Sequence, residues 1–542
     1  MRRGPGPRRA TRATRATRAT RVALRRLALR RLALLAALAG APAVLPAQAS
    51  PYVPLDDPAY HYVDALLARG RLTSLSVLER PYRIADVRLA LDAVPARPAG
   101  RVVAGWERAL REAIVRWDPA PPPADPRTPA EPVRLAMLAD VAVIGTAQTS
   151  GRRELMLADD TSGAFPGAQL RAAVVAGPVV AATHGYVDNR LQDDPEFAGR
   201  KDRAVSGRVE DAYVGGQWKY GEVTLGRLSR SWGPGTLDGL QLGNYVYSYD
   251  HLYARLGTPS FHAATILARL NDGPGTFSPL VQRYLGVHRL AGRWRGLEVA
   301  ATETYVYSGE GRGLEWSLAN PLVPYLLTQY NEQEEGNYSV GLELAWRTRL
   351  GVLGGQLLVD DVQVDRCDPQ CKEPASWGMT VTAEGLPLGG DQRWFASYTR
   401  VSSLTYRTPE RGETYDFQNV GLGRGFSDYD EARVGADLAL LSALPLRAYV
   451  AFRRQGEGDY RAPFPPPENY ATTPGFLLGR VAEVTRLGVS GGGVLPYGFT
   501  VQADVGMNAV SGDQAVTPAE GFAGRVRVTW EPAVARGRWR VR

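Results

Sequence analysis

The chain has 542 residues, with 64 basic and 56 acidic side chains and a formal charge of +8. Met1–Arg31 holds twelve arginines and no acid, which leaves 52 basic against 56 acidic groups, about −4, in the remainder of the chain. The basicity is therefore no argument for a nucleic-acid partner, and none is expected. Nor does the negative mean hydropathy, −0.23, exclude a membrane, because barrel strands place only alternate residues in lipid.

The first 49 residues read as a signal peptide. The Arg-rich stretch precedes an apolar run from Leu32 to Gly40, and Ala47-Gln48-Ala49 supplies a small-residue cleavage pattern with a mature start at Ser50. The apolar run is too short to cross a membrane as a helix, and no later segment is long enough. A start codon placed too far upstream is the alternative reading. Residues 50–117 change to a period of 3.6 and predict a small helical periplasmic segment. Asp57-Pro58 opens a first helix with the stripe Tyr60, Val63, Leu66 and Leu67, ended by Gly70. Asp86, Val87, Leu89 and Leu91 mark a second helix. Val102, Val103, Trp106, Leu110, Ala113, Ile114 and Trp117 mark a third. Residues 118–132 form a Pro-rich linker.

Residues 133–542 carry a period of two. In Asn337–Trp346, Tyr338, Val340, Leu342, Leu344 and Trp346 share one face, and Asn337, Ser339, Gly341, Glu343 and Ala345 the other. Similar stretches recur around 211–220, 377–384, 431–440 and 446–453. Roughly 9–11 residues let a tilted strand cross a bilayer. Short turns at Gly177-Pro178, Tyr220-Gly221, Ala291-Gly292 and Leu444-Pro445 alternate with long polar connections near 150–166, 190–206, 308–336, 403–428, 455–478 and 509–519. That alternation is what periplasmic turns and extracellular loops produce. At roughly 45 residues per hairpin, the expectation is an all-β transmembrane antiparallel barrel of about 18 strands. The chain closes at Gly-Arg-Trp539-Arg-Val-Arg542, without the terminal aromatic residue of many such barrels.

This layout resembles the Wzi-type capsule-assembly family of outer-membrane proteins. Gly226-Arg-Leu-Ser-Arg-Ser-Trp-Gly-Pro-Gly235, followed by Leu240-Gln-Leu-Gly-Asn244, is similar to a segment of that family. The stretch Leu66-Leu67-Ala68-Arg69-Gly70, then Leu72, Leu75 and Val77, resembles its N-terminal part. The resemblance implies non-covalent association of capsular or other surface polysaccharide with the outer membrane of a Gram-negative-type bacterium. The expected partners are that polysaccharide, outer-membrane lipids and the barrel-assembly machinery. The resemblance brings no catalytic residues with it.

No enzyme chemistry, metal or cofactor is expected. Asp360 and Asp361 are adjacent, so in a regular strand they point to opposite faces. The histidines are dispersed, without metal-ligand spacing. Gly421-Leu-Gly-Arg-Gly425 lacks the following helix of a phosphate loop. Cys367 and Cys371 are expected to close a small disulfide loop at a hairpin tip. By alternation Asp211, Lys219, Glu343, Arg347, Glu384, Arg433, Asp437 and Arg447 face the lumen. Their mixed signs predict a salt-bridged filling, with a water-filled porin or export channel as the alternative. Sugar recognition uses aromatic faces and planar polar groups, which points to Arg312, Trp316, Asn320, Tyr325 and Tyr330 between Ser308 and Gly336, and to Trp232 in a second aromatic-rich loop.

Overall fold

The computed structural model describes residues 49–94, 100–121, 135–157, 161–276, 278–325, 327, 336–361, 374–512 and 520–541. The expected signal peptide, apart from Ala49, and most of the Pro-rich linker lie outside these residues. So do Tyr330, Cys367 and Cys371.

Eighteen antiparallel strands close into one barrel. They are β1 Leu135–Gln148, β2 Gly163–Ala176, β3 Val179–Asp188, β4 Gly207–Trp218, β5 Gly221–Leu228 and β6 Tyr249–Thr258. The next six are β7 Phe261–Arg269, β8 Gln282–Trp294, β9 Leu297–Gly309, β10 Asn337–Arg347, β11 Val352–Asp361 and β12 Ser376–Gly389. The last six are β13 Gln392–Val401, β14 Tyr429–Leu438, β15 Leu446–Gln455, β16 Ala482–Val494, β17 Phe499–Gly512 and β18. The final strand is broken. Gly521–Trp530 pairs with Val143–Gln148, and Arg536–Val541 pairs with Leu135–Asp140, so both halves lie along β1 and close the sheet.

Alternation sets the two surfaces. In β1, Ala136, Leu138, Asp140, Ala142, Ile144, Thr146 and Gln148 are buried, while Val141 and Val143 are exposed on the outside. In β10, Val340, Leu342, Leu344 and Trp346 face out, and Ser339, Gly341, Glu343 and Ala345 face in. Exposed aromatics cluster at the short-turn ends: Trp218, Phe261, Trp294, Trp346, Trp394 and Trp530. Such a ring at the interface, beneath an apolar band, is the girdle of a transmembrane barrel. The short-turn mouth is accordingly the periplasmic one.

Two local expectations are corrected. Ala291 and Gly292 lie inside the β8 ladder, and the turn falls at Arg295-Gly296. Both of those residues have positive φ, +48° and +85°, which a tight two-residue hairpin turn requires and ordinary strand residues do not adopt. Lys219 falls beyond the end of β4, in the turn to β5, so alternation no longer directs it inward. It is exposed and stands over the Tyr220 ring.

Three helices, α1 Ala59–Leu67, α2 Ile84–Asp92 and α3 Arg101–Val115, close the periplasmic mouth. Their stripes bury Tyr62, Leu66, Val87, Trp106, Leu110 and Ile114 in one cluster. Trp106 Nε1 donates to Leu441 O at 2.8 Å. Tyr62 Oη donates to Ala443 O at 2.6 Å and accepts from Val494 N at 2.8 Å. Asp57 accepts from Ala59 N at 2.8 Å and so caps α1. Between α1 and α2, Glu79–Arg80 runs antiparallel to Ser231–Trp232.

The lumen is filled from two further sides. Residues 229–248, between β5 and β6, and 402–428, between β13 and β14, fold inward and meet, with Gly243 N donating to Leu422 O at 2.9 Å. Trp232, Leu240, Leu242, Tyr406, Tyr415 and Leu422 pack there against Tyr253, Ile266, Leu285 and Leu358 of the wall.

The lipid-facing assignment has a direct test. Leu344→Arg places a cation in the apolar band and should cost up to about 2–4 kcal/mol, depending on depth, in equilibrium refolding into lipid. Glu343, next to it in sequence, would behave differently because its environment is the lumen.

Candidate functional site

Three regions bring charged or aromatic groups together: the buried ion network of the wall, a polar chamber beside it, and the extracellular loop between β9 and β10. The network is dense. Arg289 forms two bonds to Glu343, at 2.6 and 2.8 Å, with both side chains essentially without solvent contact. Arg447 bridges Glu384 at 2.8 Å and Asp437 at 2.7 Å. Arg171 reaches Asp140 at 2.6 Å and Glu531 at 2.9 Å, and Arg116, just past α3, reaches Glu531 at 2.7 Å and Asp57 at 2.8 Å. Bidentate pairing suits the planar guanidinium, and it is needed because an unpaired charge inside the wall is costly.

A chamber of about 500 Å³ lies between α1 and the extracellular loops. His61 and Asp64 form its floor, Arg433, Arg447, Asp504, Arg525 and Arg527 its sides, and Arg153 and Arg190 its far end. Burial lowers the His61 pKa below the usual imidazole value, so the floor presents a neutral ring. Arg153 is sandwiched with Tyr245 and Tyr247, at 4.5 and 4.3 Å from their ring centres.

The loop after β9 rests on a stack of aromatic rings. Tyr284 lies 5.2 Å from Tyr307, Tyr305 lies 5.8 Å from Tyr307, and Tyr325 lies 4.0 Å from His288. Above them a short 3-10 turn, Trp316–Ala319, lifts Trp316 into solvent, 68% exposed. Arg312 covers the Tyr307 ring at 4.6 Å and donates to Glu315 Oε1 at 2.7 Å. Asn320 is exposed, with its Oδ1 accepting from Leu322 N.

The expected loop residues thus separate. Trp316 and Asn320 are exposed at the outer surface, and Arg312 lies partly buried in the same loop. Tyr325 does not join them: it is 1% exposed and its hydroxyl donates to Leu318 O at 2.7 Å. Trp232 is further removed. It is fully buried in the lumen, under the Arg289 guanidinium at 4.8 Å, because its segment pairs with Glu79–Arg80 instead of reaching outward. Among the expected lumen charges, only Glu384, Asp437 and Arg447 meet one another. Glu343 pairs with Arg289, Arg347 with Glu298 at 3.1 Å, and Arg433 with Glu431 at 3.0 Å. Asp211 is buried with His184 Nδ1 at 3.9 Å. Arg171 and Arg289, which sequence reasoning missed, were detectable by the same inward parity along β2 and β8. A bulge at Asp360 shifts the β11–β12 register, and Asp360 accepts from Tyr406 N at 2.7 Å.

No protein-family model matches the chain, and no curated protein matches it. Among solved structures it is similar to Wzi of Escherichia coli, described as an outer-membrane protein involved in group 1 capsule assembly and a carbohydrate-binding β-barrel. That match has 12% identity and a TM-score of 0.57, over 89% of this chain and 99% of the other. It also matches OccAB4 of Acinetobacter baumannii (12% identity, 76% of this chain and 100% of the other, TM-score 0.41). A third match is OpdK of Pseudomonas aeruginosa (11%, 75% and 98%, 0.41). At such identities the likeness to Wzi is one of fold. The chain is a closed transmembrane barrel of the Gram-negative outer-membrane type, and the resemblance expected from its layout is met at that level.

The Arg289–Glu343 pair yields a quantitative expectation. Arg289→Met or Glu343→Leu alone should cost about 3–5 kcal/mol, because each strands a buried charge, while the double replacement should cost far less than the sum. Denaturant titration of the four proteins measures the coupling. A pH expectation comes from Glu79 in the helical segment. Burial alone would raise its pKa, yet His262, Arg255 and Arg289 outweigh it and hold the carboxyl well below the usual range. Its contribution to docking is therefore present above the ordinary glutamate pKa, about 4.3, and is lost as pH falls through the lower folded value. Thermal unfolding followed from neutral to acidic pH should show this loss, and Glu79→Gln should flatten it.

Proposed function

We propose that the protein holds surface polysaccharide at the outer membrane, non-enzymatically, through its extracellular loops. The observation that carries this reading is a barrel whose lumen is occupied by its own chain, with an aromatic and planar-polar surface outside it. Helices α1–α3 lie in one mouth, and residues 229–248 and 402–428 fill the middle. An interior built this way favours a scaffold that presents loops over a wide diffusion pore. Trp316 offers a ring face, and Arg312 and Asn320 offer planar donors and acceptors beside it, the groups that stack on sugar rings and bond their hydroxyls. The fold shared with a carbohydrate-binding barrel supports the same reading. Outer-membrane lipids around the apolar band, and the assembly machinery that inserts barrels, are the other partners it implies.

The chamber of about 500 Å³ favours a second reading, in which a glycan or solute is held inside or passes through the wall. Two measurements separate them. Trp316→Ala should weaken retention of the cell's own polysaccharide by about 1–3 kcal/mol, and Arg312→Lys should weaken it too, because the ammonium lacks the planar fork. Trp346→Ala, on the lipid side, should leave retention intact. In planar bilayers the purified barrel should show no steady nanosiemens conductance. Retention that ignores both loop changes but falls with Arg433→Gln, together with steady current, would move the function into the lumen.

A further inference from the structure

Seven arginines are buried among the described residues: Arg116, Arg171, Arg230, Arg283, Arg289, Arg453 and Arg486. Six of them have a carboxylate within 3.4 Å. Arg230 has none within 4.0 Å among the described residues, although it is only 6% exposed. Its guanidinium lies 3.5 Å from the Tyr253 ring centre and 5.5 Å from that of Tyr52, and Nε donates to His251 Nε2 at 3.1 Å. Nη2 is buried and has no acceptor. Aromatic faces and a neutral imidazole offset part of a desolvated charge, but they do not neutralise it.

Arg230 lines a cavity of about 240 Å³ at the periplasmic mouth, between the helical segment and strands β5–β9. Arg255 lines it too. It contacts His262 Nδ1 at 3.3 Å, its Nε is a buried donor without an acceptor, and it also has no carboxylate within 4.0 Å among the described residues. Four carboxylates also line the cavity, and each is already engaged: Asp86 pairs with Arg83, and Glu298 with Arg293 and Arg347. Glu222 accepts from Tyr52 Oη at 2.7 Å, and Glu79 is bonded to His262 at 3.1 Å and to Tyr253. The cavity thus holds two guanidiniums outside any direct ion pair, with Arg230 Nη2 and Arg255 Nε as buried N–H groups without an acceptor.

We propose that this cavity binds a phosphate-class oxyanion at Arg230 and Arg255. Free phosphate carries between one and two negative charges and the phosphodiester of a phospholipid headgroup carries one, and both offer strong acceptor oxygens, which suits two arginines that lack a carboxylate partner. The source is a free phosphate from the periplasm or the headgroup of an inner-leaflet phospholipid reached from the mouth. This site is independent of the loop reading above, since it lies at the opposite end of the barrel.

The test uses the full-length barrel in detergent, in chloride buffer free of oxyanions, with inorganic phosphate as the probe. Phosphate at constant ionic strength should raise the melting temperature along a saturable curve, as expected for a ligand that binds only the folded state. Arg230→Met removes the unmatched charge and should melt no lower than the parent without phosphate. Both Arg230→Met and Arg255→Gln should lose the saturable rise. Nanodiscs of phosphatidylethanolamine, with and without phosphatidylglycerol, distinguish the sources. Stabilisation by phosphatidylglycerol alone, lost in both variants, assigns the site to a headgroup, and stabilisation by phosphate alone assigns it to a free anion. A linear, non-saturating response to phosphate, the same in parent and variants and with no lipid effect, would overturn the proposal. So would a strongly destabilised Arg230→Met whose phosphate response is intact.

Discussion

The structure depends on matching buried arginines with acceptors inside a closed sheet. Closure turns every second residue of eighteen strands toward an enclosed space. An arginine there cannot keep its hydration, so for six of the seven buried arginines among the described residues a carboxylate is delivered from another strand or from the inserted segments, Arg230 being the exception. Arg289 receives Glu343 from two strands away, and Arg447 receives Glu384 and Asp437. Arg171 pairs with Asp140 and Glu531, and Glu531 continues the chain of contacts to the helical segment's Arg116 and Asp57. Helices and wall are for this reason parts of a single network.

The break in the last strand lies next to a member of that network, Glu531. Pro532 has no N–H to give to a ladder, and the strand leaves its path at Glu531 before resuming at Arg536. Glu531 keeps the inward parity of Arg527 and Thr529, and at the break it meets Arg116, Arg171 and Arg536.

The Trp-Gly-Pro-Gly stretch acts as a joint. Trp232 pairs with the helical segment, and its carbonyl accepts from Gln356 Nε2 at 3.1 Å. Gly233 approaches Gly239 so closely that an added Cβ would lie 2.8 Å from its Cα, and Gly235 takes a φ of +68°. Gly233 N and Gly235 N then donate to Leu78 O and Val77 O. A motif that looks like an exposed, aromatic-rich loop is thereby the seam between the plug and the barrel.

The sequence by itself determined the barrel, its approximate size and most inward and outward faces. The period of two is a local property of the strand, as Leu342, Glu343 and Leu344 illustrate. It also determined the apolar stripes of the helices through Leu66, Trp106 and Leu110. Where the strand ended, the rule ended with it: Lys219 lies in a turn, and Arg295-Gly296 took the turn expected at Ala291-Gly292. Only the tertiary structure decided that residues 229–248 fold inward, that Trp232 and Tyr325 are buried, and that Glu343 belongs to Arg289. Those outcomes rest on contacts between residues far apart in the chain, and alternation along one strand carries no record of which distant side chain will stand opposite.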